Sequence, residues 1–418
     1  MSSAWLVHDR GVRTEDRPVQ PADRPVQPAD RPVQPADRLA TSGWDEARQA
    51  AHQVAVPLAA SAVPLAEALG TVLAEPVRAL VPIPSVDCSA MDGYAVCGAP
   101  PWAVVARARA GEGIPAPLWS GAACEIATGA PVPAGTLGVL PYEQARRTGE
   151  LVDGLVEPGR HIRRSGEECA EGEQVLAAGA MLGPAAIGLA AALGYDTVPV
   201  RPTPTVAALV TGNELLDSGV PAFGRVRDAI GPMLPGLTAW AGGRLTGTTS
   251  LADSATVLAE ALRASEAELT MVSGSSSRGP ADHLRPVLLS LGARLVVDGV
   301  RCRPGHPQAL ARMPDGRLVV GLPGNPLAAF VAFLTLALPA LAGLRGLPLP
   351  ELPCADPPVG GRGLAGKPGA TQLVPVRVRA GQLTELRFAG SAMLRGLAAA
   401  DALAVIAPTG QVRLHPLP

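Results

Sequence analysis

The sequence predicts an α/β multidomain protein built around a doubly wound parallel-sheet domain. Between residues 201 and 345, short apolar runs alternate with stretches of helical spacing, which is typical of a parallel sheet with helices on both faces. From 77 to 157 and again from 371 to 418, short apolar runs are interrupted by Gly and Pro, as in β domains. A chain of 418 residues is long enough for two to four domains.

The segment before the sheet begins with a repeat and continues with helical patterns. Residues 16–38 contain Asp-Arg-Pro-Val-Gln-Pro-Ala three times, and two prolines per repeat exclude a helix. We therefore expect residues 1–43 to be a disordered, Pro-rich tail that serves as a linker rather than as a tether for a partner. Helices are expected at residues 45–54, capped by Ser42, at 64–72, and at 185–193, between Pro184 and Gly194.

The elements of the doubly wound domain follow from the spacing of its apolar residues. Strands are expected at residues 205–211, 244–250, 269–272, 294–297 and 318–322. Helices are expected at residues 232–241, 254–265, 280–291 and 326–343, and a Pro-rich linker at 346–358. The longest apolar stretches, 185–193 and 328–338, fall short of the roughly 20 residues of a membrane span, so we expect buried helices.

Composition excludes several classes of function. A net charge of -2 provides no positive field for nucleic acid or an acidic membrane surface, and 3% aromatic residues are too few for a base-stacking surface. The six cysteines form no C-x-x-C pair, which disfavours zinc. No signal peptide is recognisable, so we expect a reduced, cytoplasmic protein with no nucleic-acid or membrane partner.

Four loops are candidate binding sites, because ligands of an open parallel sheet bind beyond the carboxyl ends of its strands. They are residues 211–214, 273–279, 303–307 and 322–326. Loop 273–279 is rich in Gly and Ser, whose small size lets backbone N–H groups approach an oxyanion, and a helix is expected to follow. Arg278 would add a two-pronged contact, and Glu214 and Asp282 would hold a magnesium ion that bridges phosphate oxygens.

Each of these features also has a purely structural explanation. For loop 273–279 taken alone, an ordinary turn with a helix cap is favoured, because Gly/Ser loops are common. Gly324 suits a strand-to-helix turn, His306 alone suits an ordinary polar position, and Asp92 suits a turn former. Only the order of the motifs along the chain favours a functional site.

Several stretches occur in an order that resembles one known family. They are Ser89-Ala90-Met91-Asp92-Gly93-Tyr94-Ala95, 127–133 with Thr128, Gly135, Glu143, 162–168 with Arg163, 211–215, 273–282, Pro304-Gly305, 322–326, Gly390-Ser391-Ala392-Met393-Leu394 and 399–403. The series resembles the molybdopterin molybdenumtransferases, the MoeA and gephyrin E-domain family. The resemblance extends from Trp44 to Pro418 and leaves out only the repetitive tail.

The resemblance implies four domains and a homodimer. An elongated discontinuous domain would comprise residues 44–76 and 160–200, an inserted β domain 77–159, the molybdopterin-binding doubly wound domain 201–345, and a C-terminal β-barrel 346–418. The cleft would lie between the doubly wound domain of one subunit and the inserted domain of the other. Asp92 and Thr128 would then face Glu214 and Asp282.

The resemblance also implies a reaction, the insertion of molybdate into adenylylated molybdopterin with release of AMP and with assistance from Mg²⁺. Asp92, Glu214 and Asp282 would be catalytic and would bind the metal. The polyanionic substrate needs amide donors and arginines. The implied substrate-binding residues are Ser89, Thr128, Arg163, Thr211, Gly212, Ser273, Gly274, Arg278, Arg303, Pro304, Gly305, His306, Gly324 and Asn325. The implied protein partner is a molybdopterin adenylyltransferase.

Several positions depart from the family's pattern. Arg303 and His306 stand where the family has two lysines, and Ala229-Ile230 follow Asp228 where the family has Ser-Asn. Further departures are Glu168, Asn213, Ala328 and the loss of a glycine in 273–277. Since several lie where an oxyanion should sit, two alternatives stay open: a catalytically degenerate paralogue that acts as a pterin-binding or scaffold protein, and a related enzyme that uses another oxyanion or pterin.

Overall fold

The computed structural model describes residues 41–274, 282–355 and 368–418. Most of the expected tail 1–43 and part of the expected linker 346–358 therefore lie outside the described residues. The helices are α1 (Trp44–Val54), α2 (Pro184–Ala192), α3 (Leu234–Trp240), α4 (Ala255–Ala264), α5 (Leu284–Ser290), α6 (Pro326–Ala332) and α7 (Leu338–Leu344).

The strands are short in the first half of the chain and longer in the doubly wound domain. In chain order they are β1 (Ser61–Pro64), β2 (Val72–Leu73), β3 (Val77–Arg78), β4 (Cys88–Ser89), β5 (Gly93–Val96), β6 (Trp102–Ala108), β7 (Ala122–Ile126), β8 (Gly138–Pro141), β9 (Arg146–Thr148), β10 (Leu151–Asp153), β11 (Ile162–Arg163), β12 (Gln174–Leu176), β13 (Thr197–Arg201), β14 (Thr205–Thr211), β15 (Leu215–Leu216), β16 (Val226–Arg227), β17 (Arg244–Leu251), β18 (Leu269–Ser273), β19 (Arg294–Asp298), β20 (Cys302–Arg303), β21 (Ala309–Arg312), β22 (Leu318–Leu322), β23 (Cys354–Ala355), β24 (Thr371–Arg379), β25 (Gln382–Glu385), β26 (Ala402–Ile406) and β27 (Val412–Pro416).

Two separate stretches of chain form the first domain. β13 pairs antiparallel with β1 and β2, and β12 pairs with β3. Leu73, Leu182 and Leu193 are buried between these strands and α2. The expected helix over 64–72 is wrong, because the chain forms β1, a 3-10 turn at Leu65–Glu67 and β2 instead. Pairing with the distant β13 outweighs the local helical spacing.

The inserted β domain is a six-stranded sheet in the order β8-β5-β7-β6-β10-β9. β6 and β7 are parallel, whereas the other neighbours are antiparallel. Val139 and Leu140 are consecutive in β8 and join two different buried clusters, as alternation across a strand requires when both faces of a sheet are covered. At the root of this domain, β4 pairs with β11.

The doubly wound domain has the strand order β17-β14-β18-β22-β21-β19. β17, β14, β18 and β22 are parallel, as expected, whereas β21 is antiparallel to both of its neighbours. β21 was not predicted from sequence, and its antiparallel pairing makes the sheet mixed rather than wholly parallel. Its Ala-Leu-Ala-Arg run contains no β-branched or aromatic residue and carries almost no strand signal.

A buried helical segment, Pro326–Leu344, forms the centre of the main core. It consists of α6, a π-helical turn at Phe333–Ala337, and α7. With 19 residues it is long and apolar enough, by length and composition, to cross a membrane, and 94% of it is buried inside the protein. The segment is longer than the apolar stretch 328–338, and its expected burial is confirmed. A core helix of a large domain can be as long and as apolar as a membrane-spanning helix.

Helix α1 packs against this core segment. The indole Nε1 of Trp44 donates a 2.9 Å hydrogen bond to Thr335 Oγ1 in the π-helical turn. Gly43, rather than the expected Ser42, is the N-cap of α1, because Ser42 forms a parallel β-bridge with Val300. By its contacts, α1 therefore belongs to the core of the doubly wound domain, although it precedes the first domain in sequence.

The C-terminal β domain shares a strand and a core with the doubly wound domain. Its sheet has the order β20-β24-β26-β27-β23, with β25 on β24, and β20 comes from the doubly wound part of the chain. Leu373, Leu403 and Val405 join the same buried cluster as the core segment. The loop that begins at Arg303 is therefore held between the two domains.

Candidate active site

Three parallel strands end side by side at one edge of the doubly wound sheet. In the register of β14, β18 and β22, Val210 lies beside Ser273, and Ser273 lies beside Leu322. The hydroxyl of Thr211 donates a 2.9 Å hydrogen bond to the carbonyl oxygen of Ser273. The structure thus brings together the first residues of three of the four predicted loops.

Glycines allow these loops to approach one another closely. Gly274 has a φ of +91°, and a Cβ there would lie 2.1 Å from the carbonyl oxygen of Thr211. A Cβ on Gly324 would lie 3.5 Å from the Cα of Gly274, and Gly212 has a φ of +149°. At Gly212, Gly274 and Gly324 the backbone carries no side chain, so a phosphate or another oxyanion can approach its N–H groups there.

The segment that follows β14 is held by Asp253 and Arg225, two residues that were not predicted from sequence. Asn213 and Asp253 exchange two hydrogen bonds, from Asn213 N to Asp253 Oδ2 at 3.0 Å and from Asp253 N to Asn213 Oδ1 at 3.2 Å. Arg225 Nε donates a 3.1 Å bond to the carbonyl oxygen of Glu214, whose side chain is exposed. Asp253 follows the end of β17, so the strand-end rule could have selected it; Arg225 carries no such signal.

Asp282 is an acid with a buried side chain, two residues before α5. Its side chain is only 6% exposed, and neither carboxylate oxygen has a well-formed hydrogen bond within the described residues. Arg285 Nη1 lies 3.8 Å from Asp282 Oδ2, and Arg285 also pairs with Asp298. Burial raises the pKa of the Asp282 carboxyl, an effect that the Arg285 charge partly offsets. The predicted Arg278 is among residues 275–281, outside the described part of the chain.

In the loop from Arg303 to His306, the backbone holds the histidine that replaces one of the family's lysines. Arg303 ends β20 and is exposed, and Pro304 follows it through a cis peptide bond. Gly305 is buried with a φ of +100°. His306 is exposed, and its Nδ1 lies 2.8 Å from the carbonyl oxygen of Val300. One ring nitrogen is therefore engaged by the backbone, which leaves Nε2 for a ligand.

The C-terminal domain reaches the start of the core segment. The backbone N–H of Ala328 donates a 3.1 Å hydrogen bond to the carbonyl oxygen of Ser391. Asn325 is the N-cap residue of α6, but its side chain makes no capping hydrogen bond. Ser391 belongs to the motif 390–394, so the structure places this late motif beside the loop that follows β22.

The segment after Asp228 has a structural role in this chain. Asp228 Oδ1 accepts hydrogen bonds from Ile230 N at 2.9 Å and Gly231 N at 3.0 Å, which caps the short turn before α3. Ile230 is 5% exposed and belongs to the main core cluster. Packing therefore explains the apolar residue at 230, and no polar side chain is presented there.

A second group of predicted residues lies in the inserted domain. Asp92 Oδ1 accepts hydrogen bonds from both the N–H and the hydroxyl of Thr128, at 2.6 and 3.0 Å. The fully buried Ser89 donates its hydroxyl to the Met91 carbonyl oxygen at 2.5 Å. Arg163 is exposed on β11, beside β4. The structure thus joins Ser89, Asp92 and Thr128, with both Asp92 bonds on the same carboxylate oxygen.

A pocket of about 250 Å³ adjoins this group and was not predicted from sequence. Its wall contains an ion pair of 2.9 Å between Arg107 and Glu125, and Tyr142 donates a 3.0 Å hydrogen bond to Glu125. Burial, together with this bond, raises the pKa of Tyr142 to about 12, and the Arg107 contact lowers that of Glu125. Arg107 and Glu125 lie on the paired strands β6 and β7, and Tyr142 directly follows β8, so only the sheet pairing brings the three side chains together.

The two groups are not assembled into one metal site by a single chain. Over residues 41–274, 282–355 and 368–418, no three His, Cys, Asp or Glu side chains are close enough together to hold an ion. Asp92 pairs with Thr128 in the inserted domain, whereas Glu214 and Asp282 belong to the doubly wound domain.

Comparison with known proteins identifies the class that this architecture defines. The chain matches the MoeA N-terminal region (domain I and II) over residues 43–194, a "Probable molybdopterin binding domain" over 207–343, and the MoeA C-terminal region (domain IV) over 360–413. It is similar to the MoeA protein of Pyrococcus horikoshii with a TM-score of 0.74 and 24% identity, over 90% of this chain and 98% of that one. These matches define a MoeA-type fold.

Curated relatives make the assignment specific. The chain is 37% identical over 315 residues to molybdopterin molybdenumtransferase 2 of Mycobacterium tuberculosis, which covers 70% of this chain and 76% of that protein. It is 32% identical over 311 residues to the molybdopterin molybdenumtransferase of Synechococcus elongatus, at 69% and 77% coverage. The chain belongs to the MoeA family of molybdopterin molybdenumtransferases.

Proposed function

We propose that the protein inserts molybdate into adenylylated molybdopterin and releases AMP, as a step in molybdenum cofactor biosynthesis. The observation that carries this proposal is the junction of Thr211, Ser273, Gly274 and Gly324 at the ends of three parallel strands. A strand-end surface of small residues and backbone suits a phosphate-bearing ligand. The names of relatives with 32–37% identity support the same reaction.

Magnesium is the proposed cofactor. The chain's donors fit this ion in chemical type, because hard cations prefer oxygen ligands and Asp282 has buried carboxylate oxygens without well-formed hydrogen bonds to described residues. Asp92 and Glu214 are the other proposed ligands. When bound, the ion would neutralise negative charge on the phosphate oxygens.

The remaining proposed contacts have distinct roles. Arg163 and Arg303 are exposed, and each guanidinium would bind phosphate oxygens through paired N–H donors. His306 would offer Nε2, since Val300 engages Nδ1. Ser89 would hold the Asp92 loop through its bond to Met91 rather than reach the ligand.

A homodimer completes the proposal, because the described part of one chain does not bring Asp92 together with Glu214 and Asp282. Light scattering on the full chain should give twice the chain mass of 42.5 kDa. A stable species of 42.5 kDa under assay conditions would contradict the shared cleft. The proposed partner that delivers substrate is a molybdopterin adenylyltransferase, and the proposed compartment is the cytoplasm.

The direct test is AMP release by the purified protein with adenylylated molybdopterin, Mg²⁺ and molybdate. Release that depends on molybdate supports the proposal. Two departures, at Ile230 and His306, favour the second candidate, a degenerate pterin-binding or scaffold protein, because Ile230 presents no polar group. That candidate predicts binding of the nucleotide without AMP release, and failure to complement a strain that lacks its molybdenumtransferase.

A further inference from the structure

The loop between β15 and β16 carries an apolar tip. Val220 and Phe223 are 92% and 107% exposed, and the two residues between them, Pro221 and Ala222, are exposed as well. Four consecutive apolar residues in contact with water are unfavourable for a surface loop and mark a site for a ligand or partner.

A tight turn places Phe223 at this tip. The N–H of Arg225 donates a 3.0 Å hydrogen bond to the carbonyl oxygen of Ala222. Gly224, at the third position of this turn, has a φ of +79°, which glycine adopts without strain. Phe223 is therefore a corner residue of a hydrogen-bonded turn, and its full exposure is a property of that turn.

The base of the loop is fixed to the candidate site. Besides its bond to the Glu214 carbonyl oxygen at 3.1 Å, Arg225 donates through Nη2 to the Leu215 carbonyl oxygen at 2.7 Å. The N–H of Val226 donates to the same Glu214 oxygen at 3.0 Å. These three bonds close the base of the loop by joining Arg225 and Val226 to Glu214 and Leu215. The apolar tip is therefore anchored to the segment that directly follows β14.

Phe223 differs from the other aromatic residues of the doubly wound domain in the exposure of its ring. Residues 201–345 contain four aromatic side chains, and of these Phe330 and Phe333 are buried and Trp240 packs against the core. In the C-terminal domain, Arg395 covers the ring of Phe388 at 4.4 Å. Phe223 therefore offers the uncovered aromatic face of the doubly wound domain.

We infer that Phe223 stacks on the planar ring system of the substrate and thereby determines affinity for a fused heteroaromatic ligand. The inference rests on the proposed function, since the ring would be the pterin of adenylylated molybdopterin. Stacking on an aromatic side chain requires only a π face on the ligand. It acts on binding and leaves the reacting phosphate and sulfur atoms untouched.

The test compares four proteins: the wild type, Phe223→Ala, Phe223→Trp and Val220→Ala. The two measurements are steady-state AMP release and a titration with adenylylated molybdopterin in the absence of molybdate. We expect Phe223→Ala to raise both KM and Kd about ten-fold while kcat stays within about two-fold. Phe223→Trp should keep both constants near the wild-type values. Val220→Ala, which shortens another apolar side chain on the same tip, is the matched control and should also keep both constants near those values.

The outcomes separate this inference from the proposed function. If the wild type binds the nucleotide without releasing AMP, the reaction is rejected and the titration alone decides the role of Phe223. An unchanged Kd in Phe223→Ala overturns the inference. Equal losses in Phe223→Ala and Val220→Ala, accompanied by a lower mass in light scattering, also overturn it and assign the tip to contact with protein. Absence of nucleotide binding by the wild type overturns both proposals.

Discussion

Gly274 lies against Thr211 so closely that a Cβ at position 274 would be 2.1 Å from the Thr211 carbonyl oxygen and 2.7 Å from its hydroxyl oxygen. The obstructing carbonyl belongs to the last residue of β14, a strand that is paired on both sides. The left-handed φ of Gly274 adds a second reason for glycine. The shape of the candidate phosphate surface therefore depends on this one contact.

Replacement of Gly274 by alanine tests that contact. We expect Gly274→Ala to lower the free energy of unfolding by about 1–3 kcal/mol, because strain and overlap add, and to reduce AMP release at least about ten-fold. Gly236→Ala, in α3 with no atom within 4 Å of the new Cβ, should instead stabilise the protein by about 0.5–1 kcal/mol. Equal stability and activity of both variants would contradict the close approach. Chemical denaturation and the AMP assay are the measurements.

The pair formed by Asp92 and Thr128 should separate catalysis from stability. Because Asp92 is exposed, Asp92→Ala is expected to leave the melting temperature nearly unchanged while it lowers AMP release at least about 100-fold. Thr128→Val removes only the 3.0 Å hydroxyl bond and keeps the 2.6 Å bond from the N–H, so a smaller loss of about ten-fold is expected. Asp196→Ala, at an exposed position whose carboxylate has no described hydrogen bond, is the control. Full activity of Asp92→Ala would exclude Asp92 from the site.

His415 should make stability depend on pH. Burial lowers the pKa of this side chain to about 4, below the value of roughly 6.5 for an unfolded chain. The unfolded state therefore binds more protons than the folded state between these pH values. The contribution of His415 is complete above about pH 6.5 and is lost as the pH falls towards 4. The full difference is on the order of 3 kcal/mol.

The corresponding measurement is the free energy of unfolding between pH 4.5 and 7 for the wild type and His415→Leu. Other groups titrate in both proteins, so the difference between the two curves isolates His415. We expect the wild type to lose stability more steeply on acidification than the variant. Parallel curves would mean that His415 is accessible to protons in the folded state.

We expect the Asp282 carboxylate to lower the free energy of unfolding while it is required for AMP release. Its carboxyl pKa is raised by burial, so ionised Asp282 is less favourable in the folded protein than in the unfolded chain. Asp282→Asn is expected to raise the free energy of unfolding in magnesium-free buffer by up to about 1 kcal/mol, while AMP release falls sharply. Asp298→Asn breaks the other Arg285 pair and should destabilise the fold. A loss of stability in Asp282→Asn would indicate that its contact with Arg285 outweighs burial.

Local sequence signals were sufficient to predict those helices and strands whose caps and apolar spacing lie within the element itself. The helix expected at 254–265 is α4, Ala255–Ala264, and Ser254 accepts the capping bond from Val257 N. Likewise Pro184 starts α2, and the strands at 205–211 and 318–322 have the expected bounds. In these segments the cap, the apolar spacing and the turn residue agree with the tertiary environment.

Non-local pairing decided the segments that the sequence analysis missed. Residues 64–72 have helical spacing, but both ends of this stretch, Pro64 and Val72, pair with β13 in a sheet. β21 is a strand only because β19 and β22 pair on either side of it. Arg225 acts through a backbone contact with Glu214, and Glu125 meets Arg107 only after β6 and β7 pair. None of these contacts leaves a periodic pattern in the chain.

The sequence by itself determined the doubly wound class, the strand-end loops and the order of motifs that resembles the MoeA family, because strand-helix alternation and Gly-containing turns are local properties. Only the tertiary structure decided that Gly274 fits against Thr211, that Ser391 reaches Ala328, that Ile230 is a core residue, and that Arg225 anchors the loop of Phe223. These relationships join residues far apart in the chain or depend on burial. Their energies are fixed by packing and hydrogen bonding in three dimensions, which residue spacing does not encode.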